Sequence, residues 1–383
     1  MKRNIIFFVN SLSGGGAEKI LQTVLKYWDT GAWNVTIYSI KKEEIPPEYP
    51  KNVSIRFLFD ALHEEEGKLA CLKVKIKNSV KLWVYKHLPP SVFYRLYVRG
   101  SYDVEAAFIE GYATRIASGS RNARSRKLAW VHIDLAANHW TLPVYRSVEE
   151  EQTVYRWFDT VVSVSRNVQE SIVSLMGPLK NARVLHNPVD LPLIREKSLA
   201  FAPVRPQADM VFCASGRLVH QKAFDRLVTV FRYLDREGFS FHLWILGDGP
   251  EKKKLAGMIE TSGLQEKISL LGYQENPYPY VRTADWVVCS SRSEGYSTVI
   301  SESLILGTPV VSTLCSGVDE QLNGGEFGVV TENHALGLYL ALKDILTGRT
   351  DRKEFAERAR RGGERFDLDK LMEGVRRLID DEL

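Results

Sequence analysis

The chain has 383 residues, 44% hydrophobic and 26% charged, with a formal net charge of +4. This length exceeds one ordinary core and predicts two domains, the composition excludes a disordered or fibrous chain, and the small net charge points to no polyanionic partner by itself. Cys71, Cys213, Cys289 and Cys315 form no C-x-x-C pair, so neither a zinc site nor a disulfide framework is expected, and a reducing compartment fits.

Lys2 and Arg3 precede an apolar run at residues 5–9 that is too short for a signal-peptide core, and no run reaches bilayer-spanning length. The protein is therefore expected to be cytoplasmic, either soluble or peripheral. The run reads as a strand, followed by Gly14, Gly15 and Gly16 and then by a helix with apolar Ala17, Ile20, Leu21, Val24, Leu25 and Trp28 on one face. Strands are predicted at 35–40, 53–57, 104–109, 128–131 and 160–164. A second strand–loop–helix unit starts at 210–214, passes through Ser215, Gly216, Arg217 and Leu218, and enters a helix with Phe224, Leu227, Val228, Phe231 and Leu234 inward. Further strands follow at 242–246, 268–270, 286–289 and 309–312. Short apolar strands alternating with helices predict an α/β chain of two doubly wound, Rossmann-like parallel-sheet domains. Pro188, Pro192, Pro203 and Pro206 suggest a linker between a first domain at 1–190 and a second at 209–365, with 366–383 a terminal helical segment. In open α/β sheets ligands bind beyond the carboxyl ends of the strands, so the chemistry belongs on the loops that follow them.

The glycines at 14–16 leave backbone N–H groups free at the positive end of a helix, which suits a phosphate; a tight turn with no ligand would use the same residues. Arg217 and Lys222 can clamp a diphosphate, one as a fork of donors and the other as a point charge, or can be a solvated pair. Residues 246–251 read as a strand end and a Gly-Pro turn. The segment 293–302 is the richest. Glu294 and Gly295 lie in a loop, Ser297 or Thr298 can cap a helix, and Glu302 falls one turn inside it, where a carboxylate can take the two hydroxyls of a ribose. An ordinary capped helix with two exposed acids is the alternative. His132 closes a strand and is well placed for a cleft, with His139, His186 and His220 weaker candidates. Asp367 and Asp369 match a D-x-D pattern but precede the terminal helix, so capping explains them better than metal binding.

Together these segments resemble the retaining glycosyltransferases of family four, which have the GT-B fold. The resemblance rests on Gly216-Arg217-Leu218 with Lys222, the 246–251 turn, and Glu294 and Glu302 separated by seven residues, and it covers nearly the whole chain. It implies two domains facing each other across a donor cleft, with the terminal helix returning to the first. It places Gly14, Gly15, Gly16 and Gly216 at the donor diphosphate, with Arg217 and Lys222 neutralising it. Glu302 would hold the ribose, Tyr273 would lie near the base, and Glu294 with the backbone at Gly295, Tyr296 and Ser297 would hold the donor sugar, with Thr298 also among the donor-binding residues. His132 would contact that sugar from the other domain. One departure is Ala223, where the family often has glycine.

The implied activity is retaining transfer of a hexose or N-acetylhexosamine from a nucleotide diphosphate sugar, uridine diphosphate being the commonest carrier. No cofactor and no metal is expected, since protein cations stabilise the leaving diphosphate. Residues 67–100 carry Lys68, Lys73, Lys75, Lys77, Lys81, Lys86, Arg95 and Arg99 without one acid, interleaved with apolar and aromatic residues. That pattern suggests seating on an anionic membrane, at its inner face, and an acceptor glycan carried on a lipid. Nucleic acid has no supporting motif. Alternatives are a soluble transferase acting on a peptide, protein or small metabolite, a GT-B sugar-nucleotide epimerase, and a non-catalytic nucleotide-sugar sensor.

Overall fold

Val, Ile and Phe runs bounded by Gly, Asn and Ser make strands buried on both faces, and such strands pair in parallel when helices cover the sheet. The computed structural model describes residues 2–12, 14–28, 30–47, 49–61 and 68–380. It divides into one unit of Met1–Asn187 with Met372–Leu383 and another of Pro188–Leu371.

Among the described residues the first unit holds β1 (Arg3–Val9), β2 (Trp33–Lys41), β3 (Ser54–Phe59), β4 (Val104–Ala107), β5 (Arg126–Val131), β6 (Thr160–Ser163) and β7 (Ala182–Val184). They form a sheet in the order β3-β2-β1-β4-β5-β6-β7. The second unit holds β8 (Met210–Ser215), β9 (Phe241–Leu246), β10 (Ile268–Gly272), β11 (Trp286–Cys289), β12 (Val310–Thr313) and β13 (Val329–Thr331), in the order β10-β9-β8-β11-β12-β13. The recorded pairings are all parallel. Strand order reverses between β1 and β4 in one sheet and between β8 and β11 in the other, and these are the places where such sheets bind ligands.

The edge strands β7 and β13 are three residues each, too short to show a period, and the sequence reading missed both. The inter-domain boundary also differs from the proline-based one. Residues 188–208 belong to the second unit: Val189 and Ile194 lie in its core, Asn276 Nδ2 donates to the Lys197 carbonyl at 2.8 Å, and Arg205 donates to that of Thr283 at 3.1 Å. Proline here shapes a packed connection rather than a free linker.

The terminal helix Leu368–Asp380 buries Met372, Val375, Leu378 and Ile379. It is fastened to the first unit by Trp33 Nε1 donating to Asp380 Oδ1 at 3.2 Å and Arg376 donating to the Tyr27 carbonyl at 3.1 Å. Asp367 Oδ1 accepts from Lys370 N at 3.1 Å, which is a capping contact.

The basic stretch forms helices Lys68–His87 and Pro90–Tyr97; Gly67 and the side chain of Lys68 lie outside the described residues. Not all of its cations face water. Lys81 is buried with its ammonium donating to the Leu58 carbonyl, and Asp60 pairs with Lys77 at 2.8 Å and Lys81 at 3.6 Å. The carboxyl end of the longer helix is held by Arg115, which is 1% exposed. The Arg115 guanidinium donates to the Tyr85 carbonyl, stacks 4.4 Å from the Tyr85 ring centroid, and pairs with Glu150 Oε1 at 2.9 Å. A buried guanidinium that loses its carboxylate is strongly destabilising. Glu150→Ala should therefore lower unfolding free energy by about 3 kcal/mol in chemical denaturation; an unchanged midpoint and slope would show the pair to be idle.

Candidate functional site

In the second unit, the loops leaving β8, β9 and β10 are locked backbone to backbone. Gly216 N donates to the Leu246 carbonyl at 2.9 Å, Gly247 N to that of Gly272 at 2.7 Å, and Leu218 N to that of Asp248 at 2.9 Å. The approach is so close that a Cβ on Gly247 would stand 1.9 Å from the Gly216 oxygen and one on Gly249 2.5 Å from the Leu218 oxygen, with both glycines at positive φ. The 246–251 turn is thus what holds the Gly216-Arg217 loop in place. Tyr273 follows this seam and is 70% exposed.

After the loop, a short turn at His220–Lys222 delivers Lys222 and then Ala223, which takes φ 55° and ψ 37° before the helix Phe224–Arg236. This left-handed conformation explains glycine as the expected residue there; alanine carries roughly 1 kcal/mol of strain. Lys222 Nζ lies 2.7 Å from Glu294 Oε1, joining the end of β8 to that of β11. Burial works against the ammonium, but the Glu294 carboxylate and Cys289 together outweigh it, and the Lys222 pKa is raised above its ordinary value. Ser291 Oγ donates to the same Glu294 oxygen at 2.5 Å. Arg217 is exposed and close enough to repel Lys222.

The 293–298 loop is pinned from β12's side. Gln321 Oε1 accepts from Ser297 N at 2.9 Å and its Nε2 donates to the Ser297 carbonyl at 2.8 Å, while a Cβ on Gly317 would meet the Gly295 oxygen at 2.1 Å. The helix Thr298–Leu306 begins here. Ser297 occupies the N-cap position, but its side chain makes no capping hydrogen bond, contrary to the sequence reading, because Gln321 fixes its backbone instead. Thr298 is half-buried in the first turn, so the amides at this helix start keep their anion-attracting character. Glu302 is buried one turn on, and Tyr278 Oη reaches its Oε1 at 3.4 Å. Tyr296 is half-buried, its hydroxyl pushed up to about 12 by burial against the lowering pull of Arg365.

In the first unit, Gly14 (φ 90°) and Gly15 lead into the helix Gly16–Tyr27. Glu18 in its first turn accepts from Ser11 Oγ at 2.6 Å and lies where a Cβ on Gly15 would come within 2.2 Å of Oε2. A carboxylate therefore already shares this helix start with the glycine amides. His132, just past β5, has Nε2 2.9 Å from the Phe108 carbonyl. A carbonyl only accepts, so Nε2 carries the proton and Nδ1 is the open acceptor. Burial lowers its pKa to about 4, leaving the ring neutral above that. Its backbone N–H donates to Glu110 Oε2 at 3.0 Å, and Trp140 Nε1 reaches Glu110 Oε1 at 3.3 Å. Burial pushes the Glu110 carboxyl up, against those two donors.

The structure thus brings Lys222 to Glu294, Gly216 to Gly247, and Gly295 to Gly317, and sets Glu302 against Tyr278. His139 instead pairs with the buried Glu151 at 2.7 Å, and the His220 carbonyl accepts from Arg292. Glu110, Ser291, Gly317 and Gln321 were missed. Glu110 could have been found, since it follows β4 as His132 follows β5; Gln321 could not, because it reaches Ser297 across 24 positions. The pair also makes a prediction. Removing the charge in Glu294→Gln leaves burial as the dominant influence on Lys222, so its pKa should fall below the wild-type value, measured through the ε-carbon shift during alkaline titration. In the wild type the raised pKa means that the contribution of the charge is present throughout neutral pH and lost only above the ordinary lysine range; an unmoved titration in the variant would refute the coupling.

Residues 196–362 match the family model of glycosyl transferases group 1. Over 95% of this chain and 96% of the relative, the sequence is 25% identical to the N-acetylgalactosamine-N,N'-diacetylbacillosaminyl-diphospho-undecaprenol 4-alpha-N-acetylgalactosaminyltransferase of Campylobacter jejuni. It is 23% identical to the amylovoran biosynthesis glycosyltransferase AmsD of Erwinia amylovora, over 93% of each. The fold is similar to that of Anabaena Alr3699/HepE, solved in complex with UDP and glucose, with a TM-score of 0.75 over 99% of this chain and all of that one, at 19% identity. With the two parallel-sheet units and the loops just described, the chain is a glycosyltransferase of the GT-B fold, and its similarity to the group 1 glycosyl transferase model lies in the second unit.

Proposed function

We propose that the protein transfers a hexose or N-acetylhexosamine, with retention and without a metal, from a nucleotide diphosphate sugar to a hydroxyl of a lipid-linked glycan at the inner face of a membrane. The observation that carries this reading is the Lys222–Glu294 pair at the β8/β11 reversal, with Arg217 beside it. A diphosphate set here would meet two cations and the amides at the start of the Thr298–Leu306 helix, while Glu302 would face the ribose and Tyr273 the base. Within the first unit, Gly14, Gly15 and Gly16 would offer backbone donors to an anionic group of the donor, and Glu18 makes them a minor source of charge neutralisation. Glu294, already anchored by Lys222, would offer its remaining acceptor capacity to the sugar, with Gly295, Tyr296 and Ser297 alongside.

In the reaction the bond between the anomeric carbon and the diphosphate oxygen breaks. The acceptor oxygen bonds to that carbon from the same face, and its proton passes to the departing diphosphate. Arg217 and Lys222 stabilise the charge that grows there, which is the largest contribution a protein of this kind makes. His132, neutral and held through Nε2, would present Nδ1 to a sugar hydroxyl. Uridine diphosphate as carrier is supported by the UDP bound to the Anabaena protein, and a polyprenyl-diphosphate acceptor by the name of the Campylobacter relative. No described helix is long and apolar enough to cross a membrane.

Arg217→Ala and Glu302→Gln should each fold normally and lose about 2–4 kcal/mol of transition-state stabilisation in kcat/KM for transfer from UDP-sugars; wild-type turnover in both would refute the site. Chelation with EDTA should leave transfer largely intact, because side-chain cations occupy the place a metal would take; activity abolished by EDTA and restored by manganese or magnesium would refute the metal-independent reading.

A further inference from the structure

The helix Lys68–His87 has two faces of different character. One is fixed to the first unit: Asn78 Nδ2 donates to the Asp60 carbonyl at 2.9 Å, Lys81 is buried on the Leu58 carbonyl, and Val84 and Tyr85 are buried. The other is an open apolar stripe. Leu69 is 77% exposed, Leu72 52%, Ile76 56%, Val80 52% and Trp83 56%. Their spacing of 3, 4, 4 and 3 places all five within an arc of about 80° at 3.6 residues per turn. Five large apolar side chains in one unbroken exposed row exceed the scattered singletons of ordinary surfaces and mark an interaction face.

The charge around the stripe identifies what covers it. Lys73 borders it on one flank and Lys75 and Lys86 on the other, all exposed, and residues 68–100 contain no acid. A second copy of the chain would bring the same cations together across the contact. An interfacial bilayer region satisfies both features at once, with acyl chains against the stripe and anionic headgroups at the flanking ammonium groups. We infer that the Lys68–His87 helix lies in the plane of an anionic bilayer, inserting the stripe from Leu69 to Trp83 while Lys73, Lys75 and Lys86 bind headgroup phosphates. This deepens the membrane placement proposed above. It also narrows it, because Lys81 is buried on the Leu58 carbonyl and the exposed Lys77 is paired with Asp60, off the edge of the stripe.

The test uses the full chain and vesicles of phosphatidylcholine with or without phosphatidylglycerol. Wild-type protein should co-sediment with the anionic vesicles, and its tryptophan emission should be quenched by brominated acyl chains, with the quenching reduced in Trp83→Phe. Leu72→Ser/Ile76→Ser/Val80→Ser should lose about tenfold or more in partitioning. Lys73→Gln/Lys75→Gln/Lys86→Gln should lose the preference for anionic lipid and the salt sensitivity expected of screened charges. All six positions are exposed, so unfolding midpoints should match the wild type, and hydrolysis of a UDP-sugar in solution, which reports on the donor site alone, should not change. Absence of wild-type binding to anionic vesicles, or equal binding by the stripe variant, overturns the inference and leaves a protein partner as the cover for this face. Vesicle binding by a protein that neither binds nor hydrolyses nucleotide-sugars would instead overturn the transferase site and leave this inference standing.

Discussion

The 2.7 Å contact between Lys222 Nζ and Glu294 Oε1 ties the loop after β8 to the loop after β11, across the point where the strand order reverses. Each partner alone would be costly in that position. Lys222 has a side chain 21% exposed and Glu294 one 8% exposed, so both have given up most of their water. Buried opposite charges contribute little net stability, but separating them is expensive, which makes such a pair a device for holding position. The two loops it joins carry most of the residues assigned to the donor.

The pair works only because the backbone around it is fixed. Gly247 and Gly249 let their loop approach the Gly216 and Leu218 carbonyls to distances that any Cβ would forbid, and Gly317 does the same beneath Gly295. Ala223 holds its left-handed turn without that freedom and delivers Lys222 at the cost of local strain. Gln321 completes the frame, using both ends of its amide on Ser297. The charged residues are therefore carried by a lattice of amides and carbonyls with little room to move, the condition under which electrostatic stabilisation of a leaving group is effective.

The first unit's loops have a different electrostatic character. Their strand ends present Glu18, Glu110 and a neutral His132, where the second unit presents Arg217 and Lys222. Glu110 links the backbone of His132 to Trp140, so β4 and β5 hand over a preset imidazole rather than a mobile one. Hydroxyl-rich ligands suit these acidic and neutral groups better than phosphates do.

Much of this was readable in the chain itself. Apolar runs with the period of buried strands, and helices such as Gly16–Tyr27 with Ile20, Leu21, Val24 and Leu25 inward, determine an α/β fold of two units, because burial follows local periodicity. The glycines at 14–16, the order Gly216, Arg217, Lys222, and the interval from Glu294 to Glu302 mark the loops for the same reason: each is a short-range pattern beside a strand end. The three-residue strands β7 and β13 escaped because they have no period, and the prolines at 188–206 misled because a packed turn and a free linker use the same residues. Only the tertiary structure decided that Lys222 belongs to Glu294, that Gln321 supports Ser297, and that Glu110 steadies His132, since these contacts join positions 20 or more apart. It also separated five lysines that look alike in sequence. Lys81 turns inward to the Leu58 carbonyl and the exposed Lys77 pairs with Asp60, while Lys73, Lys75 and Lys86 border an exposed apolar stripe, because the face a helical residue presents depends on what the rest of the chain packs against it.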